Sequence, residues 1–279
     1  MNLWKVELIH LFRSWRGWTL SGTFILMSVL SLVVGVFIER ASSFSYERAL
    51  DLYMTAATVP TLLFVGIAVA AFAFDGNKES SIFLRTRFSM KQILLTKLLI
   101  YFPLFEILFF LGFFVTLFSG LLIFDSSDPL SLNWLLWGVL LQMVYGLFLV
   151  ALMLFTSSIF RGSIASVLLT LGVLIGVPLI GGTLATVELL MRGLIQTPLA
   201  EWETISYVAR LLLWWPTALS DTQAFLSVTQ SEIRTGTMVF FGQSFELDAH
   251  FRGKALISSL IAIPALALLG WRRYSNREI

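Results

Sequence analysis

The 279-residue sequence has no cysteine, which excludes disulfides, thiolate metal centres and thiol nucleophiles. Histidine is almost missing as well. His10 and His250 stand far apart in the chain and offer no metal-ligand spacing. Charge is scarce: only 13% of residues are Asp, Glu, Lys or Arg, against roughly 25% in an average soluble domain. A soluble protein of this length could not cover its core with so few polar groups. No GxxxxGK[ST] loop occurs, so ATP hydrolysis by that route is excluded. HExxH and GxSxG are missing too, and the acids lack the paired arrangement that general acid–base chemistry needs. The chain is therefore expected to carry no catalytic site, cofactor or metal. Its pI of about 9 does not imply nucleic acid, because what matters is how the bases are distributed.

Apolar residues are what the sequence has in abundance. They make up 57% of it, with a mean hydropathy of +0.86, and they fall in six long blocks. In hydrocarbon every backbone N–H and C=O must be satisfied within its own segment, so such blocks read as helices. The expected fold class is an all-α integral membrane protein, a single domain over 1–279. Its six spans lie near 19–38, 52–74, 98–124, 132–159, 164–190 and 255–271. Ahead of them, residues 1–18 read as an amphipathic interfacial helix, with Leu3, Trp4, Leu8, Leu11, Phe12 and Trp15 on one face. Nothing at this end resembles a signal peptide. Residues 39–51 read as a polar loop. The fifth block is expected to kink at Pro178 and Gly181-Gly182. Residues 191–253 are mixed in character and form an extracytoplasmic segment, in which 205–215 reads as a surface helix too short to span.

The bases give the orientation. With a cytoplasmic N-terminus, both termini, the 75–97 loop and Arg161 lie inside. These segments hold Lys5, Arg13, Arg16, Lys78, Arg85, Arg87, Lys91, Lys97, Arg161, Arg272, Arg273 and Arg277, twelve of the nineteen Lys and Arg. That excess predicts both termini inside.

Within the spans one acid stands out. Glu106 lies about two turns past Lys97, where a carboxylate costs several kcal/mol unless paired, hydrated or protonated. It is expected to make an inter-helix hydrogen bond or to snorkel toward the cytoplasmic side; the alternative is a group on a substrate pathway. Gln142 and Tyr145 are expected to hydrogen-bond between helices. Glu188 and Arg192 are spaced to pair, Trp214-Trp215-Pro216 reads as an interfacial anchor, and the histidines read as solvated residues.

The 75–97 loop carries the most information. It opens with turn chemistry at Asp75-Gly76-Asn77, then sets Ile82, Phe83, Leu84 and Phe88 among bases, and enters the third span through Met90–Lys97. On composition alone it is equally a lipid-anchoring basic loop or a short helix that docks a partner. In layout the whole chain resembles the ABC type-2 exporter permeases, whose corresponding loop runs Glu-x-x-x-Gly-Thr-Leu, then a Leu-rich turn, then Pro-x-Ser-Arg and a Lys heading span three. Ser89, Lys91, the Ile93–Leu95 run and Lys97 fit that pattern; Ser80-Ser81 replace the Gly-Thr pair and Arg87 replaces the Pro.

The resemblance implies a non-catalytic permease subunit in the cytoplasmic (inner) membrane of a prokaryote. It implies a second permease chain, identical or homologous, and a dimer of separate ATPase subunits that hold ATP and Mg. Residues 80–92 would dock in the ATPase, through Ser80, Phe83, Leu84, Arg85, Arg87, Phe88, Ser89 and Lys91, braced by Trp4, Leu8 and Phe12. The cargo would be apolar or amphipathic: a lipid, a peptide or an antibiotic. Two other readings stay open at this point. A secondary transporter would want several intramembrane charges or paired broken helices, and a non-transporting scaffold or sensor would use the same ATPase partner.

Overall fold

The computed structural model of the chain describes residues 3–13, 15–37, 46–72, 88–124, 132–160, 162–193, 200–201, 205–212, 237–240, 243–246 and 251–276. It divides into two compact units. One comprises Met1–Leu130, Gly146–Thr170 and Ile263–Ile279, the other Ser131–Tyr145 and Leu171–Ala262.

Helices dominate. Five stretches are long and apolar enough to cross a membrane: Trp15–Phe37, Arg48–Phe72, Lys91–Ile123, Gly138–Ile159 and Ser163–Met191. The chain is thus a helical, multi-pass membrane protein. The sixth expected span falls inside a 25-residue helix, Phe251–Ser275, which is not one of those five.

The helices begin earlier than hydropathy predicts. α1 (Leu3–Arg13) is followed at once by α2 (Trp15–Phe37), so Trp15 and Trp18 belong to the first spanning helix. The expected polar loop 39–51 is helical from Tyr46 onward: α3 (Tyr46–Ala56) leads into α4 (Thr58–Phe72). Tyr46, Ala49, Leu50 and Tyr53 are all buried. Their i, i+3, i+4, i+7 spacing makes one helical face, which a window average over the neighbouring charges conceals. A turn at Ala57 separates α3 from α4. Pro60 explains it, since it has no N–H for the Ala56 carbonyl and its ring crowds that oxygen; regular bonding is in place again with Thr61 N–H to Ala57 O at 3.0 Å.

α5 (Met90–Ile123) has 34 residues, about 51 Å of helix at ~1.5 Å each, against a hydrocarbon core of roughly 30 Å. The extra turns come before residue 98. They are started by a capping box in which Ser89 Oγ accepts from Gln92 N–H and Gln92 Oε1 accepts from Ser89 N–H. α6 (Leu132–Ile159) follows.

The fifth span is broken, though not where Gly181-Gly182 stand. α7 (Ser163–Leu171) passes through a π-helical turn, Gly172–Gly176, into α8 (Val177–Met191). Pro178, at the start of α8, has no N–H to bond back to the preceding turn, and the π-helical turn lies directly before that helix. Gly181 and Gly182 are buried inside continuous helix.

In the first unit, α2, α3 and α5 pack through small residues. Gly112, Thr116 and Gly120 recur every fourth position on α5. Ser28 Oγ of α2 lies 2.8 Å from Thr116 Oγ1. Tyr53 OH of α3 donates to the Phe109 carbonyl at 2.8 Å, and a Cβ at Gly112 would overlap that hydroxyl. Small residues let helix backbones approach where the hydrophobic effect supplies no drive. Around this seam Phe24, Phe64, Phe105, Phe109 and Phe113 form a buried aromatic core.

The second unit adds a feature that an all-α reading does not include. β1 (Ala200–Glu201) pairs in parallel with β3 (Gln243–Glu246), and β3 pairs antiparallel with β2 (Thr237–Phe240), in the order β1-β3-β2. Strands of two to four residues are too short to leave a period-two signature. Residues 207–212 are helical, inside the stretch expected to form a surface helix. The chain closes with α9 (Phe251–Ser275).

Candidate coupling site and buried carboxylate

The last carbonyls of any helix lack partners within it. In α4 those carbonyls lie where residues 73–87 begin, and side chains distant in sequence satisfy them. Lys97 of α5 is buried and donates its Nζ to the Ala71 carbonyl. Tyr274 of α9 is also buried. Its hydroxyl lies 2.9 Å from the Phe72 carbonyl and 2.8 Å from Ser157 Oγ of α6, and shares its one proton between them. Glu7 of α1 lies within Coulombic reach of Lys97. Two cation–ring contacts flank this knot: Lys91 Nζ is 5.9 Å from the Trp271 ring centroid, and the Arg273 guanidinium is 5.9 Å from that of Phe155. One end of the first unit therefore ties α1, α4, α5, α6 and α9 together, at both ends of the 73–87 segment.

Of the residues expected to dock an ATPase, Ser80, Phe83, Leu84, Arg85 and Arg87 lie outside the described residues. Phe88 is half-buried, Ser89 caps α5, and Lys91 is exposed over Trp271. α5 starts at Met90, so residues 90–92 of the expected docking segment 80–92 form the first turn of that helix. The apolar positions of the N-terminal helix are buried to different degrees. Leu3 and Leu11 are buried, Leu8 is half-buried, and Trp4 and Phe12 are about half exposed, so its apolar stripe divides between the bundle and the outside.

Glu106 sits near the centre of α5, sixteen residues after Met90 and seventeen before Ile123. It does not snorkel, being only 7% exposed. Nor does it make the expected inter-helix hydrogen bond: neither carboxyl oxygen has a hydrogen-bond partner among the described residues. The carboxyl reaches α6 at Gly146, where a Cβ would overlap Oε1 and would lie 3.2 Å from the Phe105 ring. Gln142 is fully buried, and neither of its amide atoms is bonded among the described residues, contrary to its expected role. In the second unit Glu188 does not pair with Arg192. Its Oε2 accepts from Ser206 N–H at 2.6 Å, which pins the 207–212 helix to the end of α8. Trp214, Trp215, Pro216 and His250 lie outside the described residues. Among the described residues no group of His, Asp and Glu gathers to hold a metal.

Sequence reasoning placed Lys97 at the head of a span and missed its bond. It missed Tyr274 and Ser157 altogether, because the Tyr274–Phe72 contact joins positions 202 residues apart and no local pattern marks it.

Compared with protein-family models, curated proteins and solved structures, the chain matches none. Its own fold and chemistry carry the functional argument.

Proposed function

We propose that this chain is the permease subunit of an ABC exporter, moving an apolar or amphipathic substrate with ATP hydrolysed on a separate chain. The observation that carries the proposal is the knot at the end of α4. A partner that pushes on residues 73–87 would pull on carbonyls bonded to α5 and α9, and through Tyr274 on α6. Force applied at one short segment would so reach several apolar helices at once. The sequence contains no P-loop, and in this reading the motor is another polypeptide. In this reading α9 is the sixth span, both termini and the 73–87 segment face the cytoplasm of a prokaryote, and two permease chains stand on two ATPase subunits. The basic and apolar residues Arg85, Arg87, Phe83 and Leu84 make the contact.

Arg85→Glu combined with Phe88→Ala tests this. The double variant should insert normally and lose most substrate-stimulated ATP hydrolysis in the purified assembly. Unchanged turnover and an unchanged ATPase contact would contradict the proposal.

A further inference from the structure

Ionisable groups inside membrane helices are rare, face the bundle interior and normally have a partner. Glu106 meets the first two conditions and not the third. Its carboxyl is more than nine-tenths buried at mid-length of α5, with both oxygens unbonded among the described residues. It is seated against Gly146 of α6, which offers no side chain. Next to it stands Phe105, whose ring packs 5.0 Å from Phe64, 6.2 Å from Phe109 and 6.4 Å from Phe24. An acid beside clustered aromatic faces is the chemistry that receives an organic cation, the carboxylate supplying charge and the rings their negative faces. No Lys, Arg or His among the described residues bonds to either oxygen of Glu106, which leaves the carboxylate open to a cation that a ligand would bring.

We propose that Glu106, with Phe105 and the Gly146 notch, forms the binding point for the positively charged group of a lipophilic organic cation. The inference narrows the cargo class and rests on the permease reading for its purpose. Entry requires α5 and α6 to separate at Gly146. Binding itself needs no ATPase, so it is tested apart from that reading.

The probe is tetraphenylphosphonium, with tetraphenylborate as the size-matched anion, presented to the full chain in phosphatidylcholine nanodiscs. Wild type should bind the cation saturably and the anion no better than empty discs do. Glu106→Gln should weaken cation binding at least tenfold, and Glu106→Asp should restore part of it. Wild-type protein gives a second readout that needs no variant. Dicyclohexylcarbodiimide should label Glu106, and tetraphenylphosphonium but not tetraphenylborate should protect it. Equal cation binding by wild type and Glu106→Gln would overturn the proposal. So would labelling that the cation leaves unchanged, which would assign the carboxyl to a proton or to packing alone. If cation binding holds while no ATPase accompanies the chain, the permease reading fails and the site stands.

Discussion

At the scale of single residues, the account rests on side chains that repair broken hydrogen bonding. Tyr274→Phe removes the donor from the Phe72 carbonyl and from Ser157 Oγ while keeping the ring in place. Inter-helix hydrogen bonds in membrane proteins average about 0.6 kcal/mol, with a maximum near 1.7, and a stranded buried acceptor adds to the loss. We expect destabilisation of about 1 kcal/mol on denaturant titration in mixed micelles. Residues of α4 near Phe72 should also exchange their amide hydrogens faster. Unaltered stability and exchange would mean that the knot is incidental. How much of this was legible differs by residue. The rarity of Glu106 was visible as the one acid well inside a span. Its surroundings were not, because they depend on which residue of α6 stands opposite, and a glycine there gives no hydropathy signal.

At the scale of elements, hydropathy located spanning segments well and their ends badly. Ends are set by caps and by amphipathic turns, where polar residues belong to the helix. The Ser89–Gln92 capping box follows a readable rule, yet reading the third span by its apolar run alone moved its start to residue 98. α3 was lost for the same reason: Glu47, Arg48 and Asp51 share a helix with the buried face of Tyr46, Leu50 and Tyr53. The break in the fifth span was foreseen from Pro178, but the π-helical turn lies before it, at Gly172–Gly176, since proline disturbs the turn before it. Pro178→Ala restores the missing N–H and should let the π-helical turn relax toward α-helix. Hydrogen exchange across 172–177 should slow, with thermal stability unchanged or raised. If that exchange stays as fast as in wild type, proline is not the cause of the π-helical turn.

At the scale of the whole molecule, the question is how many times the chain crosses and which end faces which side. Five stretches qualify on length and apolarity, and counting α9 as the sixth brings the C-terminus back to the side of the N-terminus. The chain has no cysteine, so single cysteines can be introduced without background. A membrane-impermeant maleimide applied to intact cells should leave cysteines at positions 5, 85 and 276 unlabelled and should modify one at position 128. Labelling at 276 but not at 5 would reduce the count to five and remove α9 from the spanning set.

The central claim is that these helices are driven by a motor on another polypeptide. The direct measurement is ATP hydrolysis in the assembly recovered when the tagged chain is purified from its native membrane under mild detergent. The account predicts that a separate ATPase subunit co-purifies in equal number with this chain. Its Mg-dependent hydrolysis should respond to substrate, and the Arg85→Glu, Phe88→Ala variant should lose that response. A chain recovered without any ATPase, yet still moving substrate in ATP-free vesicles, would contradict it.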